Sequence, residues 1–560
     1  MVKRWKVRDI DGSVAERLAA ATGLTGAMAR VLVGRGIDSP SAADVFLNPD
    51  RSDLFDPFSI KDMDRAVTRI HTAVERNEKV LVFGDYDVDG ISSAALLVET
   101  LQSMGLDVAY EVPDRLIEGY GLNTDRVRAA ADRGVDLIIT VDNGISCQEE
   151  VTLARELGLD IIVTDHHEPG GDRLPPAVAV LDPKRPDATY PHRDLAGVGV
   201  SAKLCQALTG RTPPLDLVAL GTVADVVPLL GENRTLVSRG IDELRTGNRV
   251  GLKSLAEVAA INPADIRAYH IAFQLGPRIN AAGRLGKASD SIELLLASDK
   301  SRADVFAHQL DRDNRDRQQI CDRIREDAES MMSLDFSSDQ RTIMLAAPGW
   351  HPGIIGIVAS RIAEEYHRPT VLLAIDGDHA RGSARSIRAF DLFSAISECS
   401  DLIDKFGGHK YAAGLTVRSD RIDELRDRFE AVGRRELSDD DMVPEVTLDT
   451  WVEPNEITET LATELDRIEP YGHSNPRPLF GVRAAEPTGY VRLMRNDSAR
   501  FALRCGNRTL NAVAFRMPEL KDMLEARLTL DIAFLPVINV WRDRREFQLT
   551  VKHVRPTVRV

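Results

Sequence analysis

Between residues 80 and 230 short runs of aliphatic and β-branched residues, at 80–83, 137–141 and 161–164, alternate with longer polar stretches such as 123–133. Runs of four or five apolar residues are too short for buried helices, and the spacers are long enough for crossover helices. The pattern predicts a parallel sheet with helices on its faces. From 301 to 332 the chain is polar, with Phe306, Leu310, Ile320, Ile324 and Met331 near helical spacing, which predicts one long, largely exposed helix joining two lobes. A second α/β unit follows at 341–432, then an acidic linker at Ser438-Asp439-Asp440-Asp441. Beyond 446 the period changes to short alternating runs at 490–493, 500–504, 510–515, 528–532 and 547–551, which predict a small five-stranded β-barrel.

Composition sharpens this picture in two places. The 560 residues carry 71 Lys plus Arg against 87 Asp plus Glu, a net charge of -16, which at face value argues against a nucleic-acid partner. The charge is unevenly spread. Residues 475–560 hold 16 basic and 8 acidic side chains, a net of +8, among Phe501, Phe515, Trp541 and Phe547. A basic barrel with interleaved aromatics fits an OB-fold that tracks a single-stranded backbone and stacks its bases. The N-terminus has early positive charge but no apolar stretch behind it, and no run approaches the ~18 apolar residues of a membrane span. Five scattered cysteines form no CxxC pair, as expected of free thiols in a reducing compartment, with the cytoplasm as the default.

The chemistry lies where an open parallel sheet places its ligands, at the C-terminal ends of its strands. The first run ends in Gly84-Asp85-Tyr86-Asp87-Val88-Asp89-Gly90, the second in Asp142-Asn143-Gly144 and the third in Asp165-His166-His167; a fourth apolar stretch delivers Asp225. Crowded carboxylates repel and destabilise the fold unless cations neutralise them. Oxygen donors with one or two imidazoles suit Mn²⁺ or Mg²⁺, and the charge of Asp85, Asp87, Asp89, Asp142 and Asp225 suits two ions better than one. Such a pair supports phosphoester hydrolysis. A calcium loop also begins D-x-D-x-D-G, but the bidentate Glu it requires is replaced here by Leu96.

The segment Gly276-Pro277-Arg278-Ile279-Asn280-Ala281-Ala282-Gly283-Arg284-Leu285-Gly286-Lys287 is rich in glycine and arginine, suited to close approach by a phosphate backbone. It is not a P-loop, because the glycine needed five residues before Gly286 is Ala281. In the second lobe, Gly382-Ser383-Ala384-Arg385 offers backbone N–H groups, a hydroxyl and a guanidinium in one small nest, the equipment for a terminal phosphate.

The four carboxylate segments, in this order and spacing, resemble the motifs of the DHH phosphoesterase family, in its branch of single-strand-specific DNA exonucleases, and the resemblance covers nearly the whole chain. It implies an N-terminal segment (1–70) packing on the catalytic lobe, a DHH catalytic domain (71–300), a connecting helix (301–335), a DHH-associated substrate-binding domain (336–437) and an OB-fold (446–560). By the same resemblance Asp85, Asp87, Asp89, Asp142, His166 and Asp225 are metal ligands, with Asp142 the bridge. Asp165 orients its neighbours, and His167 sits beside the scissile phosphate. Arg278, Asn280 and Arg284 contact substrate, Ser383 and Arg385 with Arg115 hold a DNA 5'-phosphate, and His409 contacts a phosphate near the metals. From the residues alone, Tyr120 in Glu118-Gly119-Tyr120-Gly121 reads either as a residue that stacks on a base between the lobes or as a core or lid tyrosine. The segment Pro470-Tyr471-Gly472-His473-Ser474-Asn475-Pro476 resembles the entry to that OB domain, with His473-Ser474 where a glycine is expected before Asn-Pro.

The activity implied is removal of mononucleotides from the 5' end of single-stranded DNA, in recombination and repair. A monomer working with a helicase and a single-strand-binding protein is expected, with no membrane association. Two rivals remain: a DHH oligonucleotide or nucleotide phosphatase, which the basic barrel argues against, and an inactive DNA-binding replication scaffold, which the intact clusters argue against.

Overall fold

A computed structural model describes residues 3–49, 54–113, 121–171, 173–335, 337, 339–541 and 544–557, so Arg115 and Tyr120 fall outside the described residues. The chain divides into two units: residues 54–228 with 236–444, and residues 1–53 with 229–235 and 445–560.

The first unit is built on five parallel strands in the order Asp107–Glu111, Lys79–Gly84, Leu137–Val141, Asp160–Thr164, Ala179–Leu181. Leu137–Val141 is buried at every position, as expected of a strand covered on both faces. Register aligns the strand ends. Gly84 lies opposite Val141, and Val141 opposite Thr164, so Asp85, Asp142 and Asp165 leave three adjacent strands at one level. The helix Val88–Ser103 starts directly from the first of these exits, capped by Asp87, whose Oδ1 accepts the backbone N–H groups of Asp89 at 2.9 Å and Gly90 at 3.1 Å.

The long helix is Lys300–Asp335. Its buried stripe runs through Ala303, Ala307, Leu310, Asn314, Arg317, Cys321, Ile324, Ala328 and Met332, whereas Phe306, Ile320 and Met331 are half-buried. The stripe read from side-chain size alone is therefore rotated from the true one: small and polar residues mark the tight contacts. Cys321, Ile324, Ala328 and Met332 share a core with Trp350, Ile355 and Val358 of the second α/β unit. That unit's sheet has the order Ile403–His409, Ala412–Arg418, His379–Arg385, Thr370–Asp376, Ile343–Pro348, with only the last two strands parallel.

The other unit contains a closed barrel. Strands Phe480–Met494, Ser498–Cys505, Arg508–Ala514, Arg544–Pro556 and Leu530–Trp541 pair in turn, and Phe480–Met494 closes the ring on Leu530–Trp541. Phe501 is 3% exposed in this core, so it cannot stack on a base as expected from sequence; Phe515, 59% exposed, remains available. The N-terminal expectation is also redrawn. Leu18, Met28, Leu32 and Phe46 share one core with Leu461, Leu465, Phe480 and Phe534, and the strand Arg4–Val7 pairs in parallel with Glu445–Leu448. Residues 3–49 thus belong with the barrel, and within 1–70 the helix starting at Met63 belongs with the parallel sheet. Arg234 knits this unit together from within, its guanidinium donating to the carbonyls of Phe46, Arg467, Ile468 and Glu469 at 2.7–3.2 Å.

Candidate metal centre and phosphate-binding residues

The carboxylates at the sheet edge converge with a buried imidazole. His166 Nε2 lies 3.1 Å from Asp142 Oδ1, 3.6 Å from Asp225 Oδ2 and 3.8 Å from Asp89 Oδ2. Ligand atoms fall into three groups, each within 4.8 Å: Asp142 with His166 and His167, Asp89 with His166 and Asp225, and Asp85 with Asp87 and Asp142. Asp142 and His166 each belong to two groups, so the three fuse into one centre. Asp225 arrives from the C-terminal end of a helix, Asp216–Ala224, rather than from a strand.

Backbone geometry makes this crowding possible. Asp142 has φ 62, in the left-handed region that aspartate tolerates better than most residues, which turns its carboxylate back over the sheet edge. Three glycines leave room. A Cβ on Gly197 would stand 2.6 Å from Asp142 Oδ1, one on Gly221 2.7 Å from Asp89 Oδ1, and one on Gly90 2.5 Å from the backbone of Asp85. The N-terminus of the helix Gly197–Thr209 holds Asp89 in place, Gly197 N donating to Oδ2 at 2.7 Å and Val198 N to Oδ1 at 2.9 Å.

Burial and mutual repulsion shape the protonation of this centre. Asp89 and Asp142 are driven well above the carboxylate range, first by burial and then by neighbouring carboxylates. Asp225 is pushed to about 7 by burial and by Asp87, and burial beside His167 holds His166 down to about 3. Carboxylates packed this way, with a neutral imidazole among them, form a hard donor set that divalent cations would neutralise. The residues fit two such ions.

Asp165 has a separate task. Its Oδ1 accepts the N–H groups of His166 at 2.7 Å and His167 at 3.2 Å and pairs with His167 Nδ1 at 2.7 Å, while Oδ2 accepts from Ile145 N at 2.9 Å. Burial alone would lower His167, but the bond to Asp165 and the nearby carboxylates raise it to about 9, so the half-exposed ring is cationic at neutral pH.

The helix Gly276–Leu285 links this centre to the second lobe. Asn280 Oδ1 accepts from Val88 N at 3.1 Å, and a Cβ on Gly283 would come 2.9 Å from the Tyr86 carbonyl. Arg284 Nη1 donates to Gly353 O at 2.8 Å. Nearby, Gly356 lacks the Cβ that would stand 2.7 Å from Ser383 Oγ and 3.2 Å from Arg385 Nη2. Arg385 Nη1 donates to Ser383 Oγ at 3.2 Å. Arg385 and His409 lie across from the same residue, Ala412, on neighbouring strands, which brings them into one row. Arg278 is engaged within the fold, its Nε on Asp311 at 3.0 Å and its Nη1 on Gln274 O at 2.7 Å.

Family comparisons agree with this layout. The model of the DHH family, N-terminal domain, matches residues 79–222, the DHHA1 domain 339–434 and the RecJ OB domain 448–553. The single-stranded-DNA-specific exonuclease RecJ of Bacillus subtilis (strain 168) is 38% identical over 554 residues, 98% of this chain and 70% of the relative. The chain belongs to the RecJ family. RecJ of Escherichia coli (strain K12) is 36% identical over 89% of this chain and 91% of its own. The RecJ fold is shared too: the crystal structure of RecJ in complex with Mn²⁺ from Thermus thermophilus superposes with a TM-score of 0.84 at 30% identity, covering 100% of this chain and 80% of that one.

Sequence reasoning passed over several residues that support this RecJ-type centre. Gly197 and Gly221 carry no motif, because a lone glycine signals nothing until the carboxylate it makes room for is known. Asn143 is buried and ties two strand ends, its Nδ2 donating to Val141 O at 2.9 Å and Phe83 O at 3.2 Å. Asp182, pushed by burial to about 7, adds a further buried carboxyl near Asp165.

Proposed function

We propose that the chain is a Mn²⁺- or Mg²⁺-dependent exonuclease that removes mononucleotides from the 5' end of single-stranded DNA. The observation that carries the reading is the fused centre of Asp85, Asp87, Asp89, Asp142, His166 and Asp225 in a chain that also bears a basic OB-fold. Two divalent ions held by those six residues would activate water at neutral pH and neutralise the scissile phosphate. Asp142, shared between two ligand groups, would contribute to holding both ions.

The chain's own groups supply the rest. Asp165 fixes the ring of His167, and the His167 cation faces the phosphate and stabilises charge developing on it or on the leaving oxygen. Asn280 holds the first residue of the helix capped by Asp87 through Val88 N, and Arg284 orders the second lobe through Gly353. Ser383 and Arg385, with Arg115 from the first lobe, take the 5'-phosphate, and His409, in the same row as Arg385, contacts a phosphate near the metals. A terminal phosphate held at a fixed distance from the metals sets which ester is cut, and this gives the polarity. Arg278, paired with Asp311, contributes by positioning the helix that carries Asn280 and Arg284. Tyr120 stacks on a base at the entrance.

The chain works as a monomer in the cytoplasm, receiving substrate from a helicase and a single-strand-binding protein. Five free cysteines and the lack, among the described residues, of any helix long and apolar enough to cross a membrane support that compartment. A 5'-labelled single strand of about 40 nucleotides, the matched duplex and a dinucleotide, each with Mn²⁺ or with chelator, test the reading. Metal-dependent loss of the single strand alone is expected; an intact single strand with Mn²⁺ overturns the proposal.

A further inference from the structure

Two helices deliver carboxylates to the metal centre, and their far ends meet on one arginine. The helix Val88–Ser103 starts at the centre with Asp89 in its first turn and carries Glu99 near its other end. The helix Asp216–Ala224 runs the opposite way, from Asp216 at its start to Asp225 directly after its last residue. At a rise of about 1.5 Å per residue the two spans are roughly 15 and 13 Å. Asp89 and Asp225 therefore mark one end of an antiparallel helix pair, and Glu99 and Asp216 mark the other. Arg249 closes that far end. Its Nε donates to Asp216 Oδ2 at 2.7 Å and its Nη2 to Asp216 Oδ1 at 3.4 Å. Nη1 and Nη2 hold Glu99 Oε1 and Oε2 at 2.5 and 3.1 Å, and Nη1 also reaches Leu295 O at 3.0 Å. These bonds engage the whole donor complement of a guanidinium.

Stability alone explains such a cluster poorly. Arg249 and Asp216 are 11% and 10% exposed, and a buried ion pair gains little over apolar packing because desolvation offsets the Coulomb attraction. What a rigid fork adds is registry. This helix pair needs it. A Cβ on Gly221 would stand 2.7 Å from Asp89 Oδ1, so the helices meet beside the ligand at a glycine, with no side chain to interlock them there. Of the six proposed ligands, Asp225 alone arrives on Asp216–Ala224; Asp85, Asp142 and His166 follow strand ends, and Asp87 and Asp89 begin the helix Val88–Ser103. An axial slip of Asp216–Ala224 thus moves Asp225 against Asp89 and His166 and leaves Asp85, Asp87 and Asp142 in place.

We propose that Arg249 is a remote positioning residue for the metal centre: by holding Glu99 and Asp216 it fixes the register of the two helices and so the ligand group of Asp89, His166 and Asp225, an inference that rests on the two-ion reading above. It acts on one of the two ions. The group of Asp85, Asp87 and Asp142 is built without the helix that Arg249 registers. The cluster borders a cavity of about 640 Å³ lined by Pro213, Pro214 and Leu296, so water reaches the carboxylates when the guanidinium is removed and the fold survives the change.

Isothermal titration of the full chain with Mn²⁺ tests this, comparing wild type with Arg249→Gln, Glu99→Gln, Asp225→Asn and the double variant Arg249→Gln/Asp225→Asn. Wild type takes up two ions. In Arg249→Gln one ion binds about 10–100-fold more weakly and the other stays within about twofold of wild type. Glu99→Gln, an isosteric change at a carboxylate 36% exposed, shows the same asymmetry at about three- to tenfold and carries the test should Arg249→Gln fail to fold. The double variant binds Mn²⁺ no more weakly than Asp225→Asn alone, because Arg249 acts through Asp225. Leu101→Ala opens a cavity in the same helix outside the ion cluster; it lowers the melting temperature and leaves both affinities within about twofold. Equal weakening of both ions in Arg249→Gln, additive losses in the double variant, or the same asymmetry in Leu101→Ala overturns the proposal. If wild type takes up fewer than two ions, the two-ion reading fails and the registry role with it; if wild type takes up two and neither Arg249→Gln nor Glu99→Gln differs from it, the registry role alone fails.

Discussion

His167 Nδ1 and Asp165 Oδ1 are 2.7 Å apart, and the buried carboxylate holds a half-exposed imidazole in its cationic form. The pair lies two residues apart in the chain, so its geometry is set by the turn that ends the strand Asp160–Thr164 rather than by distant packing.

Replacing Asp165 with Asn removes the main group raising His167, whose titration then returns from about 9 toward the ordinary value near 6.5. A wild-type profile of kcat/KM against pH keeps His167 protonated up to about 9. Asp165→Asn loses activity as pH rises through about 7, so its deficit is larger at pH 8 than at pH 6, with a loss at pH 8 of about 10–100-fold. A deficit equal at both pH values contradicts the assigned role.

Asp142→Asn separates activity from stability. Losing the residue shared by two ligand groups reduces exonuclease activity by about a thousandfold or more. It also removes one of several buried like charges, so the metal-free variant melts at a higher temperature than metal-free wild type. Calorimetry in chelator and the nuclease assay in Mn²⁺ give the two readings.

Metal-free wild type gains stability as pH falls from 8 to 6.5. Asp225 and Asp182 titrate at about 7 when folded, against about 3.9 when unfolded, so each contributes stability present at low pH and lost as pH rises through 7. The opposing group, His166, is depressed to about 3, and its contribution is lost only as pH falls below about 6.5. The two carboxyls give about 1–2 kcal/mol over the window, and saturating Mn²⁺ removes the share of Asp225, the proposed ligand, while that of Asp182 remains. Denaturant melts at the two pH values, with and without Mn²⁺, check it.

Gly197→Ala places a Cβ 2.6 Å from Asp142 Oδ1 and displaces a proposed metal-bridging carboxylate. Manganese affinity, read by isothermal titration, falls about 10–100-fold, and raising the Mn²⁺ concentration restores part of the activity.

Arg385→Ala reports on the end of the substrate. Wild type prefers a 5'-phosphorylated strand to one ending in a 5'-hydroxyl, and the variant loses most of that preference through KM, by about tenfold. An undiminished preference places the terminal phosphate elsewhere.

Of the six proposed metal ligands, Asp85, Asp87, Asp89, Asp142 and His166 were readable because they follow the ends of β-branched runs, whereas Asp225 follows an apolar stretch that folds as a helix. Equal register of the three exits extends that local pattern into space. What stayed hidden depended on distant partners. Arg278 looks like a substrate contact until Asp311, 33 residues later, is seen to hold it. Phe501 has the composition of a stacking residue, yet strand alternation turns it inward to 3% exposure. The strand Leu530–Trp541 runs past the expected 528–532, its register continuing through Pro536 opposite Leu549. Nothing near Leu18 or Phe46 announces that their core partners lie more than 400 residues away.

That last separation has a cost in time. Residues 4–7 leave the ribosome about 440 residues before their strand partner, 445–448. At about 5–20 residues per second the wait is roughly 20–90 s. For that interval the apolar faces of the first three helices have no permanent cover, while the parallel sheet and its acidic edge are already complete in the emerging chain. Substitutions that slow translation or enlarge the exposed apolar surface of residues 12–47 therefore act on the yield of folded protein, through a vulnerability absent from the finished molecule.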